Sequence, residues 1–204
     1  KQAGAFTIAI VNVVSSTIAR EADGVLYTWA GPEIAVATTK AYSAQLAALY
    51  LISVKIARVR GLISIGDERA LCTELQRLPE CITETLKCQP DMQRIATLYA
   101  NRPSVFFLGR GLDYAAALEA SLKLKEISYI HSEAYAAGEL KHGTISLIED
   151  GTLVVALATQ PALFEKTVSN IREVVARGAS VVLVTTDDFT GDESVCQHII
   201  RLPK

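Results

Sequence analysis

Short apolar runs rich in β-branched residues recur along this chain and alternate with stretches of helical spacing. The first run is FTIAIVNVV at 6–14, and later runs lie at 105–108, 153–157, 181–184 and 198–202. A continuous apolar run of this kind is typical of a parallel strand that is buried on both of its faces. Because such strands alternate with helical segments, the sequence predicts an α/β fold with parallel sheets.

The helical segments differ in polarity. The segment at 39–60 is apolar on almost all sides, so we expect it to be buried between two layers or two subunits. The segment at 67–87 is more polar and has leucines at helical spacing, which predicts a connecting arm that is interrupted near Pro79 and ended by Pro90. Further helices are predicted at 92–100, 112–129 and 163–177.

Residues 1–13 and 175–187 share one pattern, in which Gly4 and Gly178 each precede a strand and a second strand follows. The offset between the copies is about 174 residues, which indicates an internal repeat. The first copy starts at its own middle, so we expect the chain to be a fragment of a longer protein. The predicted domains are the end of a first α/β domain, a helical connector and most of a second α/β domain, at 1–66, 67–94 and 95–204.

Composition excludes several classes of function. Twenty basic residues stand against 22 acidic ones, which leaves no broad positive field for nucleic acid or an anionic membrane. No apolar stretch is long enough for a transmembrane helix, and no signal peptide opens the chain. The four cysteines form no Cys-x-x-Cys pair and the three histidines are scattered, so we expect reduced thiols in a cytoplasmic protein and neither a metal nor another cofactor.

The turn Gly109-Arg110-Gly111 follows a strand and opens a helix, which is the context of a dinucleotide-binding fingerprint. The sixth position of that fingerprint is Tyr114 instead of glycine, and no acidic residue ends the next strand. The pattern therefore favours a simpler anion site at the N-terminus of the helix.

Three charged residues of that helix, Glu119, Lys123 and Glu126, have the spacing of one helix face. They form either a surface ion-pair ladder or a proton-transfer group, in which a carboxylate moves a proton while the lysine holds developing charge. The segment at 133–143 is predicted to be an irregular loop. Its His142 is either an acid–base group or a solvated histidine.

Thr38 and Thr39 precede the apolar helix, and their hydroxyls either hold a phosphate or cap the helix. From the residues alone, the chain is an α/β protein with a site for a small anionic molecule.

Two long stretches resemble the isomerase region of the glucosamine-6-phosphate synthase family, the glutamine–fructose-6-phosphate aminotransferases. They are LKLKEISYIH with EAYAAGELKHG over 122–143, and AGPEIAVATTKAY over 30–42. The resemblance implies tandem sugar-isomerase (SIS) domains, each a three-layer αβα sandwich with a parallel, flavodoxin-like sheet. It also implies a homodimer, a sugar-phosphate substrate and a glutaminase domain in the same full-length chain.

The resemblance further implies roles for individual residues. Glu126 would move the proton between C1 and C2 of the sugar, Lys123 would assist there, and His142 of a neighbouring subunit would open the ring of fructose 6-phosphate. Val36 and Thr38 would line the sugar-phosphate pocket. Arg110 and Glu119 would form a second shell that supports Lys123.

Three features of that family are missing from the sequence: the glutaminase with its cysteine nucleophile, the phosphate loop of the first SIS domain and the C-terminal lysine. We therefore expect the chain alone to be inactive as a synthase. Two alternatives remain open: another tandem-SIS isomerase or deaminase that lacks a glutaminase, and a non-catalytic sugar-phosphate sensor. Retention of Glu126, Lys123 and His142 argues against the sensor.

Overall fold

A computed structural model describes all residues 1–204, which fall into two compact units, residues 1–78 and 79–204. The strands are β1 Ile8–Val11, β2 Gly24–Tyr27, β3 Ser104–Gly109, β4 His131–Ala136, β5 Leu153–Ala158, β6 Ser180–Thr186 and β7 His198–Leu202. The helices are α1 Thr17–Glu21, α2 Lys40–Val59, α3 Ile65–Thr85, α4 Gln89–Tyr99, α5 Leu112–Ser128 and α6 Phe164–Val175. None of these helices combines the length and the apolar character that crossing a bilayer requires.

The first unit contains a two-stranded parallel sheet of β1 and β2. Asp23 fixes the start of this pair, because its carboxylate accepts hydrogen bonds from the backbone N–H and the hydroxyl of Thr7 at 2.9 and 2.8 Å. Ser16 caps α1 by accepting from the backbone N–H of Ala19 at 3.3 Å. The predicted burial of the first strand on both faces is wrong within this unit: Phe6 and Ile8 are exposed, because a two-stranded sheet offers little to cover them.

Helix α2 carries many apolar side chains but buries few of them within its unit. Ala41 and Ala48 are its only buried residues. The large apolar side chains that stay exposed are Leu46, Leu49, Tyr50, Leu51, Ile56 and Val59. Within the first unit, α2 is therefore not buried between two layers, which was one of the two environments predicted from its composition.

The connecting arm differs from its prediction at both prolines. Helix α3 continues through Pro79, whose missing N–H removes one internal hydrogen bond without ending the helix. A 3₁₀ turn at Leu86–Cys88 follows, and Pro90 lies in the first turn of α4. At that position the missing N–H costs nothing, because no carbonyl of the helix would accept it, so Pro90 begins a helix instead of ending one.

The second unit contains a five-stranded parallel sheet in the order β4-β3-β5-β6-β7. Renumbered within the unit, this order is 2-1-3-4-5, the flavodoxin-like arrangement. The predicted α/β class with parallel strands is confirmed. The predicted loop at 133–143 is wrong at its start, where β4 extends to Ala136 as an edge strand of the sheet.

Apolar side chains cover both faces of this sheet. On one face, Leu108 and Leu183 pack with Ile171 of α6. On the other face, Phe107 and Val182 belong to a second cluster with residues of α4 and α5. The unit is thus a three-layer αβα sandwich in which β3, β5 and β6 are buried on both faces.

The strand register reproduces the internal repeat. Ile8 pairs with Gly24 in the first unit, and Val182 pairs with His198 in the second, so both strands of the pair are offset by 174 residues. The turn glycines follow the same rule, since Gly4 and Gly178 both have positive φ, of 79° and 90°. The repeat predicted from sequence is therefore a repeated pair of parallel strands with identical register.

Candidate active site

The carboxyl ends of β3 and β5 form the point at which the strand order reverses, where open α/β sheets place ligands. The turn after β3 is tight: a Cβ on Gly109 would lie 2.4 Å from the carbonyl of Asp113. The buried carboxylate of Asp113 accepts hydrogen bonds from the backbone N–H of Thr159, at 3.0 Å, and from its hydroxyl. The chain's own carboxylate therefore occupies the first turn of α5, where the sequence favoured a bound anion.

Glu119, Lys123 and Glu126 lie on the side of α5 opposite its buried residues Ala117 and Ser121. The Nζ atom of Lys123 is 2.6 Å from Oε2 of Glu126 and 3.5 Å from Oε1 of Glu119. The side chains of Lys123, Glu119 and Glu126 are only 19%, 23% and 28% exposed. The three residues form one partly desolvated group, which we call the α5 triad, and not a row of freely solvated ion pairs.

The hydrogen bond from Lys123 to Glu126 raises the pKa of the lysine, and the charge of Glu119 contributes to the same shift. The ammonium therefore stays protonated throughout the neutral range. A carboxylate held 2.6 Å from a permanent cation can remove a proton from a neighbouring carbon while the cation stabilises the negative charge that develops.

Arg110 follows β3 and extends towards α6. Its Nε and Nη2 atoms donate to the side-chain oxygen of Asn170 at 3.0 and 2.8 Å, and its carbonyl oxygen accepts from Gln160 at 2.7 Å. Glu119 binds Lys123 instead. The two residues predicted to support Lys123 together thus have different partners in the structure.

His142 ends a short 3₁₀ turn, Leu140–His142, in the segment that follows β4. Its imidazole is exposed, whereas Leu140 is buried and anchors the turn. Nearby on β4, Tyr135 donates its hydroxyl to Glu133, and this bond together with burial raises the pKa of Tyr135 to about 12. Tyr135 is therefore neutral at physiological pH.

Val36 and Thr38 belong to the first unit, in the segment between β2 and α2. Val36 is exposed and Thr38 is half-buried. Thr39 is the N-cap residue of α2, but its side chain makes no capping hydrogen bond. The capping alternative is therefore not realised by Thr39, and its hydroxyl is available to another group.

Sequence reasoning assigned no role to two residues that shape these segments. Asn12, at the end of β1, donates to the carbonyl of Gly31 at 2.6 Å and accepts from the backbone N–H of Ala30 at 2.8 Å, which holds the turn before Val36. Asn170 holds Arg110 in the second unit. The one signal in the sequence is that Asn12 interrupts the apolar run at 6–14, and the structure ends β1 just before it, where α/β folds carry site residues.

No three His, Cys, Asp or Glu side chains converge in the structure as metal ligands would, and all four cysteines are free thiols. Burial, with the charges of Glu193 and Asp192, raises the pKa of Cys196 to about 11, so that thiol is unreactive at neutral pH.

A parallel 2-1-3-4-5 sheet with helices on both of its faces defines the second unit as a flavodoxin-like α/β domain. The family model for the SIS domain matches residues 1–55 and 98–204, and the chain belongs to this family. Its sequence is 54% identical over its whole length to the glutamine–fructose-6-phosphate aminotransferase [isomerizing] of Caldanaerobacter subterraneus, and 55% identical over 98% of its length to that of Symbiobacterium thermophilum.

The chain spans about a third of the length of these relatives, 33% and 32% respectively. Among solved structures it is similar to the C-terminal domain of the glucosamine-fructose-6-phosphate aminotransferase of Francisella tularensis. That match has a TM-score of 0.90 and 36% identity, and covers 96% of this chain and 56% of the other.

Proposed function

We propose that the chain is the isomerase region of a glucosamine-6-phosphate synthase. The reaction combines fructose 6-phosphate with ammonia to give glucosamine 6-phosphate and water. In a full-length protein, a glutaminase domain would release the ammonia from glutamine. The observation that carries the proposal is the 2.6 Å pair of Lys123 and Glu126 in the half-buried α5 triad, within a sequence more than half identical to the named relatives.

The ring opening and the proton transfer each have a residue suited to them. His142 would open the sugar ring by moving a proton between the ring oxygen and the C2 hydroxyl. Ammonia would then add at C2 with loss of water. Glu126 would remove a proton from C1 and return one to C2, while the proton of the C1 hydroxyl passes to the imine nitrogen, so that C1 becomes the aldehyde carbon and C2 carries the amine.

Lys123 suits the proton transfer because its ammonium stays charged and can stabilise the oxygen at C1 while the proton moves from C1 to C2. Glu119 supports the lysine from its other side. Val36 and Thr38 would contact the sugar phosphate, with the free threonine hydroxyls as donors to phosphate oxygens.

The proposal extends to the assembly. The tandem SIS arrangement would consist of residues 1–66, a helical connector at 67–94 and residues 95–204, and a homodimer would let His142 of one subunit act in the site of the other. A cytoplasmic location fits four free thiols.

The test is the substitution Glu126→Gln in a protein of the relatives' full length that carries this chain. Glucosamine 6-phosphate formation should fall by about 10²–10⁴-fold, the range expected for loss of a general base. Binding of fructose 6-phosphate should persist, because the amide keeps the shape of the carboxylate. Glu165→Gln, at an exposed glutamate of α6, is the matched control and should leave the rate unchanged.

The same proteins separate the alternatives. Release of ammonia from glucosamine 6-phosphate without a glutamine-dependent forward reaction would favour a deaminase. Binding without turnover by the unsubstituted protein would favour a sensor. Full activity of the Glu126→Gln protein would exclude the proposed role of that residue.

A further inference from the structure

We propose that Arg110, Asn170 and Gly138 form a latch that positions the segment carrying His142. The inference rests on the proposed function in one respect, because the catalytic use of His142 comes from it. The latch itself is defined by contacts within the second unit, and Asn170 and Gly138 act as positioning residues.

The first part of the latch is the amide of Asn170. Its side-chain oxygen accepts two hydrogen bonds from the guanidinium of Arg110, at 3.0 and 2.8 Å. Its nitrogen donates to Oε2 of Glu173 at 3.3 Å, so the oxygen is the atom that faces Arg110. Because Asn170 is buried on α6, it is a rigid support.

The backbone of Arg110 is fixed as well as its side chain. Its carbonyl oxygen accepts from the side chain of Gln160 at 2.7 Å. Both hydrogen bonds of the guanidinium go to Asn170, which therefore orients it. A planar guanidinium whose residue is held both at the backbone and at the end of the side chain can act as a fixed surface for a neighbouring residue to pack against.

Gly138 is the residue that packs against the guanidinium of Arg110. A Cβ at Gly138 would lie 2.7 Å from Nη2 of Arg110 and 3.3 Å from its Cζ atom. Gly138 is not among the glycines with positive φ. A Cβ at Gly138 would therefore fit only if the guanidinium moved away from its position on Asn170, and backbone conformation sets no such limit.

The segment beyond Gly138 is short and is pinned on both sides of the contact. Ala137 donates its backbone N–H to the carbonyl of Gly109 at 2.9 Å, and Glu139 donates to that of Ala136 at 2.8 Å. Leu140 is buried and His142 follows two residues later. Because so few residues separate them, displacing Gly138 should shift His142. A misplacement of about 1 Å can lower the rate of a reaction about 10²-fold.

The kinetic test uses Gly138→Ala and Arg110→Ala in a protein of the relatives' full length that carries this chain. The first substitution inserts a methyl group against the guanidinium, and the second removes the guanidinium without introducing a clash. We expect kcat to fall by about tenfold or more, and KM to change much less. Gly66→Ala, on exposed α3 where a Cβ meets no atom closer than 3.4 Å, is the matched control.

A second comparison separates positioning from general destabilisation. In a His142→Asn background, Gly138→Ala should lower kcat little further, because both changes act through the same group. Asn170→Leu, which removes the accepting oxygen, should lower kcat about as much as Arg110→Ala does. Effects that multiply in the His142→Asn background would overturn the latch.

Hydrogen exchange in the 204-residue chain gives a readout without turnover. Amides at 139–143 should exchange faster in the Gly138→Ala and Arg110→Ala chains than in the Gly66→Ala chain. Unchanged exchange would overturn the latch. If the unsubstituted full-length protein makes no glucosamine 6-phosphate, the proposed function fails, and the exchange data still decide whether the latch exists.

Discussion

The ammonium of Lys123 lies between two carboxylates of its own helix but belongs mainly to one, at 2.6 Å from Glu126 against 3.5 Å from Glu119. The unequal sharing distinguishes the two acids. Glu126 is the partner whose charge the lysine neutralises directly, and Glu119 holds the lysine in place from the preceding turn. The two carboxylates on this helix face therefore interact with Lys123 in different ways.

The first prediction concerns the titration of Lys123. Because the bond to Glu126 raises its pKa above the ordinary 10.5, the lysine should lose its proton only above that pH. Its favourable contribution to stability is present below pH 10.5 and is lost as the pH rises through the raised pKa. Side-chain NMR titration of Lys123 should show the raised value, and Glu126→Gln should lower it. An unchanged value in the Gln variant would contradict the assigned cause.

The second prediction concerns acid unfolding of the first unit. Hydrogen bonds from Thr7, with the nearby Lys1, lower the pKa of Asp23 to about 2. A lowered carboxyl pKa gives stability that is complete above the ordinary 3.8 and is lost as the pH falls towards 2. Asp23→Asn should therefore flatten the pH dependence in this window.

Backbone amide NMR signals of the β1–β2 pair, followed during urea titration at several pH values, measure unfolding of the first unit. Asp91→Asn, at an exposed carboxylate of α4, is the control and should leave this transition in place. An acid limb that is identical with and without the Asp23 carboxylate would contradict the prediction.

The third prediction concerns the core of the second unit. Leu108 is fully buried at the centre of β3, so Leu108→Ala should lower the free energy of unfolding by about 2–5 kcal/mol through lost burial and the cavity it leaves. Leu112 is 68% exposed, so Leu112→Ala is the control and should lower the free energy of unfolding by less than about 0.5 kcal/mol. Circular dichroism during urea unfolding measures both, and equal losses for the two variants would contradict the assigned core.

The fourth prediction concerns the exposed apolar side of α2. Leu49 and Ile56 lie seven residues apart and are about half exposed, which suits a surface covered by a second copy of the chain. Sedimentation should detect a dimer, and the Leu49→Glu/Ile56→Glu chain should be monomeric. Gln93→Glu, on exposed α4, should leave the dimer intact. A chain that stays monomeric at every concentration would contradict the proposed homodimer.

Much of the second sheet was predictable because its central strands are apolar on both faces. The runs that contain Phe107, Val154 and Val182 predicted strands at their observed positions. Strand β4 was missed because its sequence, HSEAYA, lacks that signal. It lies at the edge of the sheet, where polar side chains are tolerated and pairing with β3 alone supplies the strand geometry.

The candidate site was predictable only where its residues share a helix. The spacing of Glu119, Lys123 and Glu126 fixes their common face, because helical periodicity is local. Arg110 and Asn170 are 60 residues apart, and no local pattern links them. Their contact depends on the packing of α6 on β5 and β6, within reach of the turn after β3, which tertiary structure alone determines.

The polar character of β4 also affects how the folded protein behaves in concentrated solution. The two edges of the five-stranded sheet present His131 and Glu133 on β4 and Arg201 on β7. Ionisable side chains along an open edge discourage a further strand from adding there, and so protect the sheet against edge-to-edge aggregation. The polar residues that prevented the prediction of β4 as a strand are thus the ones that discourage this sheet from pairing with a strand of a neighbouring molecule.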